Sequence, residues 1–86
     1  MNKPWQTVLV EDQALLRNVL AKAIRLDARF ELAADAEDGL EGKEACEKWV
    51  PDLLITDIHL PGMDGVELAS HVLKTLPSVR VLALTN

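Results

Sequence analysis

The sequence predicts an α/β fold: a doubly wound parallel sheet of about four strands with three helices. Three observations carry that prediction. Short apolar runs alternate with segments of helical period along the chain. One run, Leu53-Leu54-Ile55-Thr56, lacks any charged residue, as suits a strand covered on both faces. Strand and helix signals follow each other closely, which implies right-handed crossovers and parallel neighbours.

Each element has its own signal. Thr7-Val8-Leu9-Val10 is a short apolar and β-branched run ending at Glu11-Asp12, and it reads as a buried strand. From Ala14 the period changes. Leu15, Leu16, Val19, Leu20, Ala23 and Ile24 share one face, with Arg17, Asn18, Lys22 and Arg25 elsewhere. This is an amphipathic helix with Asp12 or Gln13 at its N-cap. Phe30 to Ala34 alternates weakly and predicts a strand at or near an edge. Asp38-Gly39 opens a second helix running to about Trp49, which Pro51 ends. Its predicted inner face holds Gly42, Ala45, Cys46 and Trp49, and Glu44 and Lys48 can pair outside.

The Leu53–Thr56 run stops at Asp57, and Leu60-Pro61-Gly62-Met63-Asp64-Gly65 forms a turn-rich loop. Asp64 with Glu67 resembles a capping box for a third helix. Leu68, Ala69, Val72, Leu73 and Leu76 give that helix its apolar face, and Pro77 stops it. Val79 to Leu84 is the fourth strand, followed by Thr85 and Asn86.

The 86 residues suffice for one small domain, residues 1–86. Nine basic against 14 acidic residues give a net charge of −5, which argues against direct nucleic-acid binding. A single cysteine, Cys46, excludes an internal disulfide and fits a reducing compartment. Its place beside Ala45 and Trp49 suggests core packing rather than reactivity. No signal core or bilayer-spanning run is present, so the expected location is cytoplasmic, with no membrane partner. Trp5 reads as a cover for the sheet edge, and the acidic segment Asp35 to Asp38 as solvated surface.

In open α/β sheets, ligands bind beyond the carboxyl ends of the strands. Glu11 and Asp12 follow the first strand, Asp57 the third and Thr85 the fourth. Each alone has a plain reading: a helix start for Glu11-Asp12, a turn for Asp57, a strand end for Thr85. Together, on neighbouring parallel strands, they place three carboxylates and a hydroxyl at one end. Close carboxylates repel when ionised. Mg2+, a hard cation that prefers oxygen ligands, compensates them. One carboxylate then remains to act as a nucleophile, and aspartyl phosphate is an established intermediate type. Backbone N–H groups and the Thr85 hydroxyl are suitable donors to a phosphoryl group.

With its acidic pair, its Asp57-Ile58-His59-Leu60-Pro61-Gly62-Met63-Asp64-Gly65 segment and its Thr85, the chain resembles a receiver domain of bacterial two-component response regulators. The resemblance covers essentially the whole chain and implies a flavodoxin-like fold, similar to the chemotaxis receiver, with strand order 2-1-3-4. It implies that Asp57 accepts phosphate from a sensor histidine kinase or a small phosphodonor. Glu11, Asp12 and Asp57 would bind Mg2+, Asp12 more directly than Glu11, and the His59 backbone carbonyl would complete the protein's share. Thr85 would be the switch residue. The His59 ring has no implied role, and His71 is expected on the solvated side of the third helix.

Receivers normally continue through a fourth helix, a fifth strand and a fifth helix, and a lysine ending that fifth strand contacts the phosphoryl group. These parts are lacking here, and no lysine of this chain takes that role. The residue after Thr85 is usually small in the family and is Asn86 here. Two explanations are open: a fragment of a longer regulator, or a short product that hides its exposed fourth strand by homodimerising or exchanging an element. Many receivers precede a DNA-binding helix-turn-helix domain, which nothing in this sequence encodes.

The leading expectation is thus a phosphoacceptor signalling module that switches an output or partner surface. It is not a turnover enzyme, and at most shows slow Mg2+-dependent autophosphorylation and autodephosphorylation. The alternative is a phosphorylation-independent interaction or assembly module. A hydrolase with an aspartyl nucleophile ranks lower. Haloacid-dehalogenase-like phosphatases carry a second Asp two residues on, where this chain has His59.

Overall fold

Seven elements alternate along the chain: β1 (Trp5–Val10), α1 (Ala14–Leu26), β2 (Phe30–Ala36), α2 (Gly39–Trp49), β3 (Leu53–Asp57), α3 (Gly65–Thr75) and β4 (Arg80–Leu84). They come from a computed structural model that describes residues 3–85. Asn86, singled out above, lies outside the described residues. All strand pairs are parallel, in the order β2-β1-β3-β4. This is the doubly wound, flavodoxin-like arrangement that the sequence predicts.

Pattern and position agree. β1 and β3 occupy the centre, and Thr7, Val8, Leu9, Val10 and Leu54 are fully buried. Among the described residues, β2 and β4 are the edges, and both mix apolar with charged residues. Val8, Val10 and Leu54 share a core with Cys46 of α2, with Leu68 and Val72 of α3, and with Ala36, Leu60 and Val79. Leu9 and Ala21 are buried outside that core, where α1 lies against β1 and β2. Gly42 lets α2 approach the sheet closely, because a Cβ there would lie 2.6 Å from Val10 Cγ2. Cys46 packs as expected, and burial pushes its thiol up to about 11, which keeps it neutral and unreactive.

Helix entry follows the sequence at all three helices, and at α2 and α3 the cap is a side-chain hydrogen bond. The carboxylates of Asp38 and Asp64 accept hydrogen bonds from the amides of Glu41 (2.8 Å) and Glu67 (2.9 Å). At α1 the N-cap is Gln13, one of the two expected residues, and it makes no side-chain cap bond.

Several side chains lie elsewhere than predicted. The apolar arc of α1 is wider than the sheet surface beneath it. Leu16, Leu20 and Ile24 turn partly inward beside Ala21, while Leu15 and Val19 remain 79% and 56% exposed. Trp49, expected inside, is half exposed, because α2 ends there as Val50 takes a left-handed φ of 42° ahead of Pro51. Lys48 lies 5.2 Å from the centre of the Trp49 ring, and no Glu44–Lys48 ion pair forms among the described residues. His71 is half-buried between α3 and α2, with Nε2 3.3 Å from Glu47 Oε2. Trp5 opens the central strand β1 instead of covering an edge, with the Arg80 guanidinium 5.6 Å above its ring.

Candidate functional site

The strand register builds the site. Val10 pairs with Thr56, and Asp57 pairs with Leu84, so β1, β3 and β4 end at one edge of the sheet. Glu11 leaves β1 directly beside the end of β3 and stays tied to the sheet, its amide donating to the Ala36 carbonyl at 3.0 Å. Glu11, Asp12 and Asp57 thereby offer carboxylate oxygens that all lie within 4.8 Å of one another. Among the described residues this is the one such group of three potential metal ligands, so the acidic segment Asp35 to Asp38 is not a second one.

Burial makes the cluster electrostatically unusual. Glu11 is 1% exposed and Asp57 5%, whereas Asp12 faces solvent. Burial raises the Glu11 pKa above the ordinary glutamate value. The Gln13 amide opposes that rise by donating to Glu11 Oε2 at 3.0 Å, and the neighbouring Asp12 and Asp57 carboxyls add to it. The two ion pairs formed among the described residues, Asp27–Arg29 and Glu47–His71, involve none of the three acids. Crowded hard-oxygen donors without a countercharge suit a hard divalent cation.

The segment after β3 is held by backbone contacts. The His59 amide donates to Asp57 Oδ1 at 3.2 Å, and the His59 side chain is exposed. The Ile58 amide donates to the Leu84 carbonyl (3.2 Å), and the Gly65 amide to the Ile58 carbonyl (2.8 Å). Thr85 follows Leu84 at the same sheet edge and is exposed.

Sequence reasoning missed three supporting residues. Thr56 is buried, and its hydroxyl donates to the Asp57 carbonyl at 2.9 Å. Gly65 sits where any Cβ would clash with the Asp57 carbonyl and Ile58 Cα, so a side chain there would force the loop backbone to shift. Arg17 reaches back from α1, and its Nη1 donates to the Glu11 carbonyl at 2.8 Å. A signal for Arg17 was present: a cation at a helix N-terminus opposes the helix dipole.

A parallel α/β sheet with an acidic cluster at its carboxyl edge defines a class of α/β proteins with a potential metal site, and similarity to known proteins narrows that class to one family. The chain belongs to the response regulator receiver domain family, whose family model matches residues 7–86. It is 35% identical over 80 residues to the transcriptional regulatory protein DegU of Brevibacillus brevis, covering 93% of this chain and 34% of that protein. It is also 35% identical over 75 residues to the chemotaxis protein CheY of Listeria monocytogenes, covering 87% of this chain and 63% of that one. Among solved structures, the signal receiver domain of the response regulator NarL from Mycobacterium tuberculosis superposes with a TM-score of 0.92 at 27% identity. That match covers 98% of this chain and 68% of that domain. The chain thus spans about a third of the DegU relative and under two thirds of the CheY relative. Among the described residues, no helix is long and apolar enough to cross a membrane.

Proposed function

We propose that this chain is a phosphoacceptor of a two-component system, in which Asp57 takes a phosphoryl group from a sensor histidine kinase. The observation that carries the reading is the buried Asp57 carboxylate, gathered with Glu11 and Asp12 at the carboxyl edge of the sheet. Asp12, Asp57, Glu11 and the His59 backbone carbonyl are the residues to hold Mg2+. The ion supplies charge compensation to the carboxylates and to the oxygens of the transferred group. An Asp57 carboxylate oxygen forms the new bond to phosphorus, and the bond from phosphorus to the donor's histidine nitrogen breaks. The His59 amide, already bonded to Oδ1, orients the carboxylate. Thr85 follows Leu84, the strand partner of Asp57, and this position supports reading it as the switch residue that donates its hydroxyl to the phosphoryl group. No lysine of this chain is assigned to that group. In this reading the protein works in the cytoplasm as a signalling module, without turnover and without contacting nucleic acid itself.

Incubation with acetyl phosphate and Mg2+ tests the proposal. Intact mass should show one added phosphoryl group on the wild type and none on Asp57→Asn. An adduct that persists in Asp57→Asn, or a wild type that takes none, contradicts it.

A second reading is favoured by one feature, the open edge of β4, where Leu82 is 51% exposed. There the chain acts as a phosphorylation-independent assembly module through a homodimer or an exchanged element. Partner binding unchanged by Asp57→Asn separates it from the first.

A further inference from the structure

α1 starts without the device that starts the other two helices. Asp38 and Asp64 cap α2 and α3, and each helix has a glutamate in its first turn. α1 has no side-chain cap bond and no acid in its first turn. Arg17 follows that turn, a cation where the helix dipole disfavours one. Its half-buried side chain turns back to the loop, with Nη1 2.8 Å from the Glu11 carbonyl oxygen. The Arg17 amide donates to the Gln13 carbonyl at 2.8 Å, and the Gln13 amide to Glu11 Oε2 at 3.0 Å. These three bonds close a ring around residues 11–17. Asp12, the exposed acid of the cluster, sits inside that ring with its backbone held on both sides.

We infer that Arg17 is a positioning residue for the cation site. Its guanidinium fixes the peptide joining Glu11 to Asp12 and so keeps the Asp12 carboxylate beside Glu11 and Asp57. The inference rests on the Mg2+ site proposed above. A guanidinium serving only as a countercharge would pair with a carboxylate. This one bonds a neutral carbonyl, and among the described residues it forms no ion pair. The two roles differ in sign. Removing a countercharge tightens binding of a divalent cation, whereas removing a clamp weakens it. Partners that orient metal ligands typically contribute about 10–100-fold in affinity.

Calorimetric titration of the 86-residue chain with Mg2+ tests the clamp, alongside Arg17→Met, which keeps the aliphatic stem but removes donors and charge. The expected result is a Kd raised about tenfold, the lower end of that range. Amide exchange on the metal-free proteins is the second readout: Gln13 should exchange faster in the variant, with β3 unchanged. Unchanged or tighter Mg2+ binding by folded Arg17→Met overturns the inference. If that variant does not fold, Arg17→Lys carries the test, because lysine keeps the charge without the planar fork. A raised Kd there supports the clamp, and a wild-type Kd overturns it. If the wild type itself binds no Mg2+, the cation site fails and Arg17 as its positioning residue fails with it. Gln13 exchange then separates the two failures: faster exchange in the variant shows that Arg17 still holds the loop, and unchanged exchange shows that it does not.

Discussion

Glu11 has one backbone donor, the Gln13 amide, to stabilise its charge, and it faces Asp12 and Asp57 in a buried setting. Its folded pKa is raised, so the folded state holds this proton more tightly than the unfolded chain does. Stability of the metal-free protein therefore rises as pH falls through the folded pKa, and this gain is complete below the ordinary value of 4.5. At neutral pH, above the ordinary glutamate value, burying this group costs stability. Glu11→Gln should then stabilise the metal-free protein by about 1 kcal/mol, within the range common to single stabilising substitutions. For a chain of this size that is a rise in Tm of roughly 4–8 °C. Thermal melts at pH 7 and pH 4.5 check the assignment, since the advantage should shrink at the lower pH. An equal gain at both would show that burial of the charge is not the cause.

The elements differ in how much of their local chemistry can be replaced. Asp64→Ala removes one cap from an otherwise well-packed α3 and should cost about 1 kcal/mol. Gly65→Ala pushes a methyl group into the backbone that carries Asp57 and should cost about 1–3 kcal/mol as overpacking. It should also weaken phosphorylation, because the displaced atoms belong to the acceptor residue. Denaturant melts of both variants give the order, and Gly65→Ala as stable as the wild type would contradict the close approach. The central strands and the Asp64 cap were legible because apolar runs ending in a polar residue and the Asp64-x-x-Glu67 signature are local, and Asp38 was read as opening α2 from its place before Gly39. Periodicity showed that α1 is amphipathic but not which part of its arc meets the sheet, hence the exposure of Leu15 and Val19. The Arg17 bond spans six residues and depends on side-chain direction, so spacing alone did not reveal it.

At the scale of the whole molecule, a Cα radius of gyration of 11.8 Å matches the ~12 Å expected of a compact domain of this length. The acid cluster was legible because each of its members ends a predicted strand, and parallel neighbours bring such ends together. What spacing could not give was its depth, which leaves Glu11 and Asp57 buried and Asp12 at the surface. The open side of β4 sets a second whole-molecule property. Its outer backbone groups pair with no strand among the described residues, and Leu82 is 51% exposed. Unpaired strand edges recruit other strands. The 86-residue chain should therefore self-associate at micromolar concentration, and Leu82→Lys should shift it toward monomer in sedimentation velocity runs. A wild type that remains monomeric would count against edge pairing.

Phosphoacceptor chemistry at Asp57 depends most on three acids sharing one cation at the carboxyl edge of the sheet. A magnesium titration followed by amide NMR measures that directly. Saturable shifts centred on the amides of Asp12, Asp57 and His59 are expected, lost together in Asp57→Asn. A folded protein whose amides at those positions stay unmoved at millimolar Mg2+ would contradict it.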